Sequence, residues 1–342
     1  MLELFQIIWF WLIALLIAGY FVLDGFDLGV GALYNFIAKD EKEKAILRRS
    51  IGPVWDGNEV WLITAGGALF AAFPFAYATS FSGFYLAIML VLFSLIVRAT
   101  ALEFRSHKAA GSGKLWDILF FLGSGLPALL FGVAAGNVLQ GVPLAANGDV
   151  IVTIPVIDLL TPFPLVCGIL GLVLFLALGA TWIAVKAPQG SDLQARAKKL
   201  QAPFQITALV VFVLATAAMI LLVLGGLPDF SNPMMLIATV FALLFVVCMI
   251  VSLVLKKNDI LAFLAQAAAV LFLPFLWAAS QFPNLINATT GNPVTIFNGS
   301  SNEVALLWMT GITCIGVPLV LFYHFIIYRS FRGRIKDEDL TY

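Results

Sequence analysis

Five ionisable side chains stand where the sequence is otherwise apolar: Asp24 and Asp27 in "FVLDGFDLGVGAL", Asp56 and Glu59 in "WDGNEVW", and Arg98 in "LIVRATALEF". Each pair of acids is three residues apart, so on a helix each pair shares a face. Charged residues cost about 2.5–3.5 kcal/mol each at the centre of a membrane helix on the insertion scale, which makes them functional candidates by default. Burial and a neighbouring guanidinium pull a carboxyl's proton affinity in opposite directions, which yields groups that exchange protons near neutral pH. Protons are the natural cargo of such a set, and a small cation is the rival. Trp55 before the second pair and Asn58 within it are supporting residues.

Plainer readings of these residues stand beside that one. Pro53 suits a first helical turn, where Asp56 and Glu59 would merely complement the helix dipole. Arg98 can snorkel to the headgroups. Asp24 and Asp27 fall in an interfacial turn if the first helix stops near Leu23, with the glycines of "DGFDLGVG" as breakers.

The elements that must position them are membrane helices. Of 342 residues 62% are hydrophobic, 30 are Phe and only 11% are charged, against about 25% charged in globular domains. The formal net charge is zero and no long basic block exists, so nothing points to nucleic acid. Cys167, Cys248 and Cys314 each lie alone in an apolar run, as buried small hydrophobes do, and suggest no metal site. The N-terminal apolar stretch has no basic residue before it and is too long for a signal peptide.

Nine apolar stretches reach the ~20 residues needed to cross the bilayer: Phe5 to Ile37, Val54 to Ala78, Phe81 to Leu102, Leu115 to Val138, Phe163 to Val185, Ile206 to Leu224, Met234 to Leu255, Ile260 to Ala279 and Val304 to Tyr328. Eighteen of the 19 basic residues, Lys108 and Lys114 among them, fall in alternate loops or after the last helix. By the positive-inside rule the N-terminus is outside and the C-terminus cytoplasmic. The expectation is one all-α integral membrane domain over 1–342, with helices one to four over about 5–140, helices five to nine over about 161–330, and a tail at 331–342. The first eight helices form two like-oriented four-helix units with a ninth added.

Counting residues from the nearest basic loop places Asp56 and Arg98 about 10 Å deep, level on consecutive antiparallel helices and so expected to pair. Glu59 follows at about 15 Å, Asp27 at about 18 Å and Asp24 at about 22 Å. The two histidines, His107 in a loop and His324 near the inner end of the last helix, do not make paired intramembrane haem ligands. His324 is expected to cap packing or face the headgroups, with a place near a cofactor as the alternative.

The segments "FVLDGFDLGVGAL", "RRSIGPVWDGNEVWLITAGGALFAAFPFAYA", "RATALEFR", "GLPALLFGVAAGNVLQGVP" and "PVTIFNGSSN" closely resemble subunit II of the cytochrome bd-type quinol oxidases. The resemblance runs over essentially the whole chain. It implies a haem-free subunit in a bacterial or archaeal plasma membrane, paired with a subunit I that holds two haems b and one haem d, oxidises quinol and reduces oxygen to water. Small single-helix subunits are further companions that the resemblance allows. In the family's motifs the acid after Trp and the arginine of "RATALEFR" line a proposed proton path; in this chain these are Asp56 and Arg98, and the first acid of "DGFDLG" is Asp24. The other class in contention is a proton- or cation-coupled secondary transporter binding substrate between two repeats. Against it, no sequence repeat is evident and the intramembrane acids are confined to the first unit.

Overall fold

The computed structural model describes residues 1–105, 113–154 and 156–340; His107 and Lys108 lie outside the described residues. In hydrocarbon a chain must satisfy its own backbone, so the apolar runs become helices. Helix α1, Leu2–Ile37, continues unbroken through "DGFDLGVG", and a stop near Leu23 is ruled out. Its glycines serve packing instead. A Cβ at Gly29 would stand 2.9 Å from the Gly179 Cα of α7 (Pro162–Lys186), so only glycine permits this close approach. Gly29→Ala is expected to destabilise the fold by about 1–3 kcal/mol through overpacking, read as a lower Tm of the purified protein.

The loop after α1 holds a helix of its own. Helix α2, Glu41–Ile51, starts at Asp40, whose side chain accepts a hydrogen bond from the Glu43 N–H. Glu41 and Glu43 in its first turn and Arg48 and Arg49 in its last suit its dipole. It buries Ile46, Leu47 and Ile51 against the helix bundle. Ionic braces join it to its neighbours: Arg105 to Glu41 at 2.5 Å and to Asp117 at 2.7 Å, Lys44 to Asp117 at 2.7 Å, and Arg196 to Glu43 at 2.5 Å. The hydrogen bond from Arg105 holds the Glu41 carboxyl below its usual range, so this brace is present above the ordinary carboxylate range and is lost as acid protonates Glu41.

The second apolar stretch is two helices, α3 (Trp55–Ala72) and α4 (Pro74–Gly83). Pro74 has no N–H to give the preceding turn and starts α4 as its first residue. The remaining helices are α5 (Tyr85–Phe104), α6 (Gly113–Gln140), α8 (Asp192–Ala218), α9 (Pro233–Val254), α10 (Asp259–Gln281) and α11 (Glu303–Ser330). Among the described residues eight helices are long and apolar enough to cross a membrane: α1, α5 to α7, α8 with its π-helical extension to Val223, and α9 to α11. Short strands close the end of the bundle away from α2. There β1 (Val142–Pro143) pairs in parallel with β3 (Ala288–Thr290), and β2 (Asn284–Ile286) pairs antiparallel with β4 (Val294–Thr295).

Helix α1 is the axis of the bundle, packed against α3, α6, α7 and α10. Its Phe26 stacks on Trp182 of α7 with ring centroids 4.2 Å apart. Helix α11 lies outside, with Leu306 and His324 its buried residues. Polar contacts hold it: the Trp9 indole donates to the Leu306 carbonyl and to Thr310 Oγ1 at 3.1 Å, the Trp61 indole donates to His324 Nε2 at 3.2 Å, and the Tyr328 hydroxyl donates to Asn58 at 2.9 Å.

Candidate functional site

Arg98 of α5 is 2% exposed and lies between two acids, its Nη2 2.8 Å from Asp24 Oδ1 and 2.5 Å from Glu59 Oε1. Asp24 is fully buried on α1 and Glu59 is 23% exposed on α3, so three helices converge on one guanidinium. One turn from Asp24, the buried Asp27 accepts a hydrogen bond from the Asn58 amide at 2.8 Å. Asn58 also donates to the Leu23 carbonyl at 3.1 Å and accepts from the Tyr328 hydroxyl, so α11 fixes the α3 residue that orients Asp27. Tyr20, one turn before Asp24 on the same face, is buried as well.

Asp24, Asp27, Glu59, Arg98 and Asn58 are thus brought together. The expected pairing of Asp56 with Arg98 is corrected. Asp56 is exposed in the first turn of α3, and the partners of Arg98 are Asp24 and Glu59. The depth count assumed a helix running on from Arg49, whereas α2 ends at Ile51 and α3 begins at Trp55. It also ignored side-chain reach: a helical side chain leans toward its helix N-terminus, which carries the long Arg98 guanidinium from its Cα toward Asp24. Trp55 packs half-buried against the main core beside Asp56.

Sequence reasoning missed Tyr328 and the use made of His324. The His324 ring lies edge-on to Trp61, its Nδ1 is 2.9 Å from the Val320 carbonyl, and its Nε2 accepts from Trp61. The tautomer that satisfies both contacts carries its proton on Nδ1 and has no lone pair left for a metal. A second polar seam lies between α8, α9 and α10. There Gln205 donates to Ser252 at 2.7 Å and to Gln266 at 3.1 Å, and Asp259 at its edge pairs with Lys198 and Arg334 at 2.7 Å each. Gln201 and Gln205, one helical turn apart, and Gln266, alone in an apolar run, were its signal in the sequence. Among the described residues no group of His, Cys, Asp and Glu is arranged to hold a metal ion.

Comparison with known proteins gives these positions a family. Cytochrome bd-I ubiquinol oxidase subunit 2 of Escherichia coli K12 is 32% identical over 99% of this chain and 97% of its own length. Cytochrome bd ubiquinol oxidase subunit 2 of Bacillus subtilis is 33% identical over 98% of each chain. The solved structure of bd oxidase from Geobacillus thermodenitrificans superimposes with a TM-score of 0.79 over 96% of this chain and 98% of its own, at 17% identity, so the fold is shared. The description of the cytochrome bd terminal oxidase subunit II family matches residues 5–331, and the chain belongs to that family.

Proposed function

We propose that this chain is the second subunit of a plasma-membrane quinol:oxygen oxidoreductase, which holds a haem-bearing subunit I and carries protons from the cytoplasmic side toward the site of oxygen reduction. The observation that carries the reading is Arg98, buried in an apolar bundle and bridging Asp24 and Glu59, with Asp27 one turn away. One guanidinium offsets one carboxylate, so further negative charge at this depth is best offset by bound protons. The cluster is therefore a proton store. The basic loops support a cytoplasmic α2 and C-terminus. With α3 and α4 taken together as one crossing, the chain spans the membrane nine times as two four-helix units and α11.

Protons arrive at Asp56, at the exposed start of α3, and pass to Glu59 one turn on and then to Asp24 and Asp27. Glu59 is the member of the cluster that reaches the chain's surface, so it is also where protons leave for the partner. Among the described residues His324 does not fit a haem, because both its ring nitrogens are engaged; His107 lies outside the described residues. The reading assigns haems b and d, quinol and oxygen to subunit I, and no step in this chain runs through them. A transporter reading has no support in the relatives, whose names are those of oxidase subunits.

The test is Asp56→Asn in the assembled complex, which keeps shape and hydrogen bonding but cannot titrate. The haem absorption spectrum is expected to stay normal while quinol-driven oxygen consumption falls several-fold. Wild-type consumption across neutral pH would place the main proton route in the partner subunit.

A further inference from the structure

On the face that carries α2 and the C-terminal tail, a polar cavity of about 110 Å³ is enclosed by the ends of α2 and α7 and the turn after α11. Arg49, Lys186, Arg332 and Arg334 line it, against one carboxylate, Asp339. Arg334 is engaged elsewhere, donating to the Ala184 and Ala187 carbonyls at 2.8 Å each and to Asp259 at 2.7 Å. The other three cations make no ion pair among the described residues.

Lys186 is the most telling of the three. It is 9% exposed and donates to the Phe331 carbonyl at 2.5 Å. Its ammonium also lies over the Trp182 ring, 5.0 Å from the centroid, and beyond the Phe331 carbonyl it has no oxygen or nitrogen acceptor among the described residues for its other N–H groups. Arg49 lies over the Phe331 ring, 5.8 Å from its centroid, and such stacking leaves the edge of a guanidinium available. In the tail, Gly333 takes a positive φ of 100°, and the N–H groups of Arg332, Gly333 and Arg334 make no backbone hydrogen bond among the described residues. Successive N–H groups around a left-handed residue are a recurrent anion-binding arrangement.

Like charges gathered around a partly buried hole repel unless an anion offsets them. The cavity is far larger than the roughly 10–15 Å³ that one water needs. Guanidinium forks suit the paired oxygens of a phosphate, and a lysine adds a point charge. We propose that this cavity binds a phosphate group through Arg49, Lys186 and Arg332, and so ties the C-terminal tail to α2 and α7. The group comes either from an anionic phospholipid headgroup or from free phosphate in the cytoplasm. Asp339, whose carboxylate accepts from the Lys336 N–H at 2.7 Å, opposes the anion and limits its affinity.

The experiment uses the whole purified complex, with the haem spectrum as the check on folding. Sodium phosphate is titrated calorimetrically at constant ionic strength into delipidated complex. Native mass spectrometry counts the phosphatidylglycerol retained after extraction from membranes that contain it. Arg332→Gln on the exposed tail, alone and with Arg49→Gln, is expected to weaken phosphate binding at least tenfold if the source is free phosphate, or to lose one retained lipid if it is the headgroup. Asp339→Asn is expected to shift the same readout the other way. Wild-type complex that takes up neither, or a double variant matching wild type in both, would overturn the proposal.

Discussion

Replacing Arg98 by alanine is expected to abolish accumulation of the assembled complex. Asp24 would be left fully buried without its cation and Glu59 without its inner partner. Removing one member of a buried ion pair costs about 3–5 kcal/mol, a large share of the total stability of a folded protein. The check is the amount of haem-bearing complex in membranes, by absorption, beside the amount of this chain, by immunoblot. A triple variant, Arg98→Gln with Asp24→Asn and Glu59→Gln, removes the charges together and keeps the polar shapes. It is expected to regain assembly and to stay inactive, which separates the structural part of the cluster from its proton chemistry. Normal assembly of the single Arg98→Ala variant would mean that its carboxyl partners are neutral without it.

Glu59→Gln is expected to assemble with its haems and to lose turnover by about a hundredfold, the low end of the 10²–10⁴-fold that a positioned proton-transfer group typically contributes. Arg98 keeps Asp24 as its charged partner in this variant, and the glutamine carbonyl still accepts a hydrogen bond, so the fold is retained. Oxygen consumption driven by quinol, followed across pH, is the measurement. A Glu59→Gln complex as fast as wild type would show that protons bypass this helix.

The acids and the arginine were legible because a charged residue in an apolar run stands out. Their partners were less so. A residue count gives the depth of a Cα, and the guanidinium of Arg98 ends well away from its own Cα. Helix α2 was hidden because "EKEKAILRRS" reads as a basic loop. Its amphipathic character lies in Ile46, Leu47 and Ile51, too few for a pattern to declare itself. The break at Pro74 illustrates a different limit. Pro127, Pro203, Pro274 and Pro318 all sit inside continuous helices, since neighbouring helices supply what their turns lose. Residue type alone does not say which proline ends a helix. Gly29 was visible as a glycine, but its purpose depends on Gly179, 150 residues later in the chain.

Helix α11 turns almost all of its apolar surface outward, and in a bilayer apolar side chains gain little by leaving lipid for protein. Its seat is written in Thr310, His324 and Tyr328, together with the Leu306 carbonyl. At 3.6 residues per turn these four positions fall within about 40° of one line along the helix. They work as the teeth of a key, selecting one rotation and one height from the many that greasiness alone would accept. Residues such as Ile312, Ile315 and Leu319 on the outer side are exposed and take no part in seating the helix on this chain. As far as this chain's own fold is concerned, they are free to drift from one aliphatic residue to another, and the addressing information of the helix is concentrated in a few polar atoms.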